Sequence, residues 1–159
     1  MDLIFRAATP ADEEFLLQVF ASVLGERLAM AGYPVSEWAG LISQQFHAQH
    51  SAYHSKYPKA DFDLVLVDGE KAGRLYLDRR KDEMRILDLT LLPAFRGQGI
   101  GSKLFEGLFN EARLSKRKVS AHVEHDSRAI ALAQRLGFVP QLETDSTTLM
   151  VWSPTTLER

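Results

Sequence analysis

The sequence predicts an α/β (α+β) fold, with a mixed sheet that carries helices on its faces. Three observations lead there. Asp68-Gly69 stands between two apolar, strand-like runs, a strong hairpin signal. Asp145-Ser146 separates two further runs near the C-terminus in the same way. Between the two hairpins, an apolar run closes on Pro93, and the turn Arg96-Gly97-Gln98-Gly99-Ile100-Gly101 opens an amphipathic helix.

Each element follows in order. Leu3 to Ala8 reads as the first strand. Thr9-Pro10-Ala11-Asp12 supplies an N-cap, a proline at the first helical position and an acid in the first turn, so a helix runs from there to about Val23. A second helix spans Ser36 to about Tyr53, with Trp38, Leu41, Ile42, Phe46 and Tyr53 on its core face at helical spacing. Asp63 to Val67 and Lys71 to Leu77 are hairpin strands, and Asp78 to Asp82 is a charged turn. Met84 to Leu91 is the next strand. Gly99 to Arg113 is a helix with Ile100, Leu104, Phe105, Leu108 and Ala112 on one face. Lys118 to Val123 is a strand. Ser127 to Leu136 is a helix closed by Gly137. Val139 to Thr144 and Thr147 to Trp152 form the last hairpin. The order is β-α-α-β-β-β-α-β-α-β-β.

Composition bounds the function. A chain of 159 residues fits a single domain, 1–159, with a core that needs no metal or disulfide. Apolar residues at 45% and charged residues at 25% are ordinary for a soluble protein. A net charge of −2 argues against nucleic acid as a partner. The absence of cysteine excludes a disulfide, a thiolate metal site and an acyl-cysteine intermediate. The N-terminus lacks a signal-peptide core and no run is long enough to span a membrane, so a cytoplasmic protein without membrane attachment is expected.

The turn after Pro93 is where chemistry concentrates. A glycine turn at a helix N-terminus presents backbone N–H groups and the positive end of the helix dipole, a place for an anion such as a diphosphate. Glycine permits positive φ and close approach. Arg96 adds a charge able to pair with phosphate oxygens. A dinucleotide-binding βαβ unit is the nearest rival, and Glu124 even lies where its acidic ribose ligand would fall. However, Pro93 to Arg96 intervene between strand and glycines, the third glycine of that fingerprint would fall at Ser102, and the preceding strands form a hairpin. A nucleotide-triphosphate loop fits less well still, because no Gly-Lys-Ser/Thr follows the glycines.

Strand, Pro93, Arg96-x-x-Gly99-x-Gly101 and helix together resemble the acyl-CoA-binding motif of the GNAT superfamily of N-acetyltransferases. Ala129 to Phe138 resembles that family's last helix with its Gly-Phe ending, and the element order agrees along nearly the whole chain. The resemblance implies a mostly antiparallel sheet and a single N-acetyltransferase domain. It also implies direct transfer of an acetyl group from acetyl-CoA, a cosubstrate, to a primary amine, with no metal. Gly97, Gln98, Gly99, Ile100, Gly101 and Ser102 would hold the diphosphate with Arg96 assisting. Leu89, Thr90 and Leu91 would hold the pantetheine. Where the family has an Asn before its last helix, this chain has Asp126 and Ser127, which either touch the cofactor or cap the helix. Where many members have a Tyr that protonates the departing thiolate, this chain has Ala133. Ser127 and Tyr76 are then candidate donors, and an ordinary thiol with pKa about 8.5 leaves tolerably without one.

The attacking amine must lose a proton. Asp88 is an acid inside an apolar run, which suggests a polar cleft; the alternative is a surface strand residue paired with Arg74. Glu124 and His122 lie on the next strand, and either can serve as base or remain a packed polar residue. His47, His50 and His54 share a stripe, a geometry that permits a metal but lacks an acid. Trp38, Tyr53, Tyr57 and Glu26 belong to segments that often shape the family's acceptor site. Arg79-Arg80-Lys81 reads as a solvated turn. The acceptor is a small molecule or a peptide amine, and the terminal hairpin offers an edge for pairing in a homodimer. Two other classes compete: a non-catalytic acyl-CoA-binding module, supported by Ala133, and an interaction domain that binds no CoA.

Overall fold

The structure, a computed structural model, describes residues 1–125 and 129–154. Among them, seven strands form one mostly antiparallel sheet in the order β1-β2-β3-β4-β5-β7-β6. The strands are β1 (Leu3–Ala7), β2 (Asp61–Val67), β3 (Glu70–Arg79), β4 (Glu83–Leu91), β5 (Lys118–Glu124), β6 (Val139–Glu143) and β7 (Thr147–Trp152). The helices are α1 (Glu13–Met30), α2 (Val35–Lys56), α3 (Ile100–Ser115) and α4 (Ala129–Arg135). The predicted element order holds. The chain divides into two compact units, Met1–Leu75 with Leu89–Gln98, and Tyr76–Asp88 with Gly99 onward.

In the first unit, β1 and β2 pair antiparallel from Leu3↔Val67 to Ala7↔Asp63. Asp68 and Gly69 both take positive φ, at 50° and 84°, as the two-residue hairpin turn requires. Leu16 of α1, Phe46 of α2 and Leu64 of β2 form a buried cluster. Each contributes about 1.5–3 kcal/mol by leaving water. Phe20 meets Phe46 edge-on at 5.8 Å. Thr9, the predicted N-cap, forms a capping box with Asp12, but across a 3-10 turn, Pro10–Asp12, before α1 begins. Asp12 is 3% exposed and accepts bonds from Arg6 at 3.0 Å, Thr9 N–H at 2.9 Å and Lys71 at 3.1 Å. The Arg6 guanidinium first, then the Thr9 N–H, hold its carboxyl well below the usual carboxylate range.

Two expectations for this unit need correction. α1 continues seven residues past Val23 to Met30, with Gly25 inside the helix and the Trp38 ring 3.9 Å from where its Cβ would stand. The face predicted for α2 buries only Phe46; Trp38, Leu41, Ile42 and Tyr53 are half-buried. The Trp38 indole instead donates to the Tyr33 carbonyl at 2.9 Å and fastens the α1–α2 connection.

In the second unit, α3 buries Ile100, Leu104, Phe105, Leu108, Phe109 and Ala112. Phe109 stacks on Trp152 at 4.1 Å and packs with Phe138 at 5.8 Å. Gly137 closes α4 at φ 98°, with the Phe138 N–H donating to the Ala133 carbonyl. Strand β5 pairs antiparallel with β7 and parallel with the start of β4, where Glu83–Ile86 face Lys118–Ala121. The buried Ser120 hydroxyl donates to Glu83 at 2.6 Å and receives Arg85 at 2.7 Å. Burial opposes the Glu83 charge, but Ser120, Arg85 and Arg80 outweigh it and hold the carboxyl below its ordinary range. The run Arg79-Arg80-Lys81 is not simply a solvated turn. Arg79 ends β3 and grips Glu111 at 2.7 Å, and Arg80 pairs with Asp78 at 3.0 Å and Glu83 at 3.3 Å.

Candidate active site

The segment after β4 is built by local rules. Pro93 starts a single 3-10 turn, Pro93–Phe95, in which the Phe95 N–H donates to Leu92 and the Arg96 N–H to Pro93. The Leu92 N–H donates to the Ala72 carbonyl of β3 at 2.8 Å. The Gln98 amide donates back to the Ala94 carbonyl at 2.6 Å and closes the loop on itself. Gly97 follows Arg96 at φ 72°.

Arg96 makes two contacts within its own unit. Its Nε donates to the Leu91 carbonyl at 3.1 Å, and its terminal nitrogen reaches the Glu26 carboxylate of α1 at 3.4 Å. The guanidinium therefore braces the end of β4, and a phosphate that took the same terminal nitrogen would compete with Glu26 for it.

Within the second unit, Gly99 takes φ 80° and ψ 4° and caps α3 from the left-handed region. No side chain caps this helix, and its first turn carries no acid. The helix's own bonding starts with the Lys103 N–H on the Gly99 carbonyl. The preceding N–H groups, on Ile100, Gly101 and Ser102, lie at the positive end of a 16-residue dipole. A Cβ on Gly97, Gly99 or Gly101 would meet nothing within 4 Å. Open space in front of uncapped donors can admit an anion.

A glycine that the sequence reading passed over lies on β3. Gly73 sits in the buried run Ala72–Leu77, and a Cβ there would collide with the Thr90 carbonyl oxygen and lie 2.9 Å from the Leu91 Cα. The one signal in the sequence is a glycine inside a strand pattern, which often marks close backbone approach.

The remaining base and pantetheine candidates lie on two strands, β4 and β5. Leu89, Thr90 and Leu91 are half-buried on β4, as is Asp88, which falls in the second unit. Arg74, offered as a partner for Asp88, is buried and donates to Gln49 of α2 at 3.0 Å. His122 and Glu124 are exposed on β5, two residues apart and so on one face, in register with Leu149 and Thr147 of β7. Asp126 and Ser127 lie outside the described residues. Tyr76 is 1% exposed and belongs to the core of its unit.

A model of the acetyltransferase (GNAT) family matches residues 29–138, more than half of the chain. The chain belongs to the GNAT acetyltransferase family. Among solved structures it is similar to the PaiA N-acetyltransferase of Thermoplasma acidophilum in complex with coenzyme A. The two are 16% identical with a TM-score of 0.72, covering 96% of this chain and 99% of that one. An acetyltransferase from Thermus thermophilus is 20% identical with a TM-score of 0.69, covering 96% and 97%. The ribosomal-protein-S18-alanine N-acetyltransferase of Escherichia coli is 16% identical with a TM-score of 0.64, covering 96% and 94%. At these identities the likeness shows the fold. No curated protein sequence matches the chain.

Other features take their place around this GNAT scaffold. Ala133 is 8% exposed on α4 and offers only a methyl group. The histidine stripe of α2 is absorbed by stacking: His50 lies on Phe46 and beside His54 at 4.5 Å, His54 lies on Phe62 at 4.0 Å, and His47 meets Glu13 at 3.3 Å. Among the described residues, no three His, Cys, Asp or Glu side chains stand together as a metal site would need. None of the described helices is long and apolar enough to cross a membrane. A cleft of about 460 Å3 opens in the second unit against α4 and β6, lined by Ile130, Gln134, Leu142 and the pair His125–Glu143 at 3.7 Å.

Proposed function

We propose that this GNAT protein transfers an acetyl group from acetyl-CoA to a primary amine. The observation that carries the reading is the uncapped, acid-free N-terminus of α3 behind Gly97 and Gly99. Backbone N–H groups there take the diphosphate of the cosubstrate. The backbone of Leu89, Thr90 and Leu91 takes the amides of its pantetheine arm. The amine nitrogen attacks the thioester carbon, the C–N bond forms, the C–S bond breaks, and CoA leaves as thiolate. Asp88, Glu124 or His122 receives the proton that the amine sheds, directly or through water. Water or the Ser127 hydroxyl protonates the thiolate, since Ala133 has no proton to give and the Tyr76 hydroxyl is buried.

The buried Ala133 also favours a second reading, an acyl-CoA-binding module without chemistry. Thiol release separates the two. The purified protein, given acetyl-CoA and a panel of polyamines, amino acids and peptide amines, is expected to release CoA with at least one amine well above the hydrolysis rate. Tight acetyl-CoA binding with no amine-dependent release would establish the module instead.

A further inference from the structure

We propose that Gly73 is a positioning residue for the acyl-CoA arm: its missing side chain lets β4 lie with the Thr90 carbonyl and the Leu91 Cα where a Cβ would stand. The inference rests on the proposed binding of pantetheine by Leu89–Leu91. Glycine in the interior of a strand is unfavourable, so its presence calls for a reason. Here the reason is space, not dihedral freedom, since Gly73 is not among the residues with positive φ. The neighbours of the missing Cβ are backbone atoms, with the Thr90 carbonyl carbon at 3.0 Å and the Leu91 Cα at 2.9 Å. A side chain on β4 could rotate away from a methyl group, but its backbone would have to move as a strand.

Two hydrogen bonds fasten the same segment. The Leu92 N–H donates to the Ala72 carbonyl at 2.8 Å, one residue before Gly73. Arg96 donates to the Leu91 carbonyl at 3.1 Å. Thus the peptide units from Thr90 to Leu92 are fixed by Gly73, Arg96 and Ala72 before any ligand arrives. Such preorganisation spares the ligand the cost of ordering the strand. It also makes the site sensitive to a small backbone shift, since a displacement of about 1 Å in a positioning contact can cost two orders of magnitude in rate.

The test compares two ligands by calorimetry. Acetyl-CoA carries the pantetheine arm, and adenosine 3′-phosphate 5′-diphosphate lacks it. Gly73→Ala is expected to weaken acetyl-CoA at least about tenfold and to leave the adenine nucleotide within about twofold. Leu92→Pro gives an independent disturbance. Leu92 already has φ −61°, which proline accepts, so the change removes the N–H given to Ala72. It is expected to produce the same split. Gly107→Ala on α3, where a Cβ meets nothing within 4 Å, serves as a control with both affinities unchanged. Equal loss of both ligands in Gly73→Ala and Leu92→Pro, unchanged acetyl-CoA affinity, or loss of a cooperative melting transition in both would make Gly73 a packing residue and overturn the inference. If the wild type binds the nucleotide but not acetyl-CoA more tightly, the inference fails while the diphosphate site stands. If the wild type binds neither, the acyl-CoA reading itself falls.

Discussion

Gly97 and Gly99 differ from Gly73 in what they demand of the chain. The first two have positive φ, at 72° and 80°, and open space where a Cβ would be. Gly73 has no such φ and no space, because the backbone of Thr90 and Leu91 fills it. One pair shapes a turn and leaves room for an anion. The other glycine brings two strands together and fixes a backbone. Conformation and contact are separate reasons for glycine, and their loss should be felt by different parts of the same ligand.

The largest effect should come from filling the open space. Gly99→Glu with Gly101→Glu places two carboxylates at the helix N-terminus and a strained residue at φ 80°. We expect acetyl-CoA and the adenine nucleotide to lose affinity together, by about 100-fold or more, from roughly 3 kcal/mol of lost and reversed electrostatics. Gly73→Ala comes next, and its loss should fall on acetyl-CoA alone. A common loss in both proteins would erase the distinction between the two kinds of glycine.

Asp12 supplies the control for plain stability. Asp12→Asn should lower the urea midpoint by an amount equivalent to about 2 kcal/mol, from weakened hydrogen bonds to charged partners, without separating the two ligands. The effect should depend on pH. Because the folded carboxyl is held below its ordinary value, its contribution is complete above about pH 4 and is lost as pH falls further. Urea melts of wild type and variant should therefore differ most near neutrality and converge in acid. A difference that grew in acid would contradict the ion-paired node.

The smallest effect belongs to Glu26. Its exposed pair with Arg96 is worth about 0–1 kcal/mol in stability. Glu26→Ala should leave the melting temperature nearly unchanged, yet release the guanidinium and tighten both ligands by about twofold to threefold. Weaker binding would mean that Glu26 holds Arg96 in its binding position rather than competing for it.

The contrast between the glycines also marks what the sequence made legible. Gly99, the Asp68-Gly69 hairpin, the α3 stripe and the Gly137 cap are set by neighbours a few residues away, and their patterns sit in the chain in order. Gly73 is set by Thr90, Arg96 by Glu26 and Arg79 by Glu111, partners far off in sequence that only the folded sheet and helices bring close. Helix α1 runs past its predicted end near Val23 to Met30, and Gly25 lies inside it. The glycine turn was legible because it is local. Asp88, His122 and Glu124 were legible as polar residues on strands, because the apolar runs around them mark the strands locally.

Titration of the wild type with acetyl-CoA, beside the Gly99→Glu/Gly101→Glu protein, tests the central claim most directly. The account predicts micromolar binding to the wild type and binding at least about 100-fold weaker with the variant. A wild type that gives no heat at millimolar acetyl-CoA, or a variant that binds as well as the wild type, would contradict it.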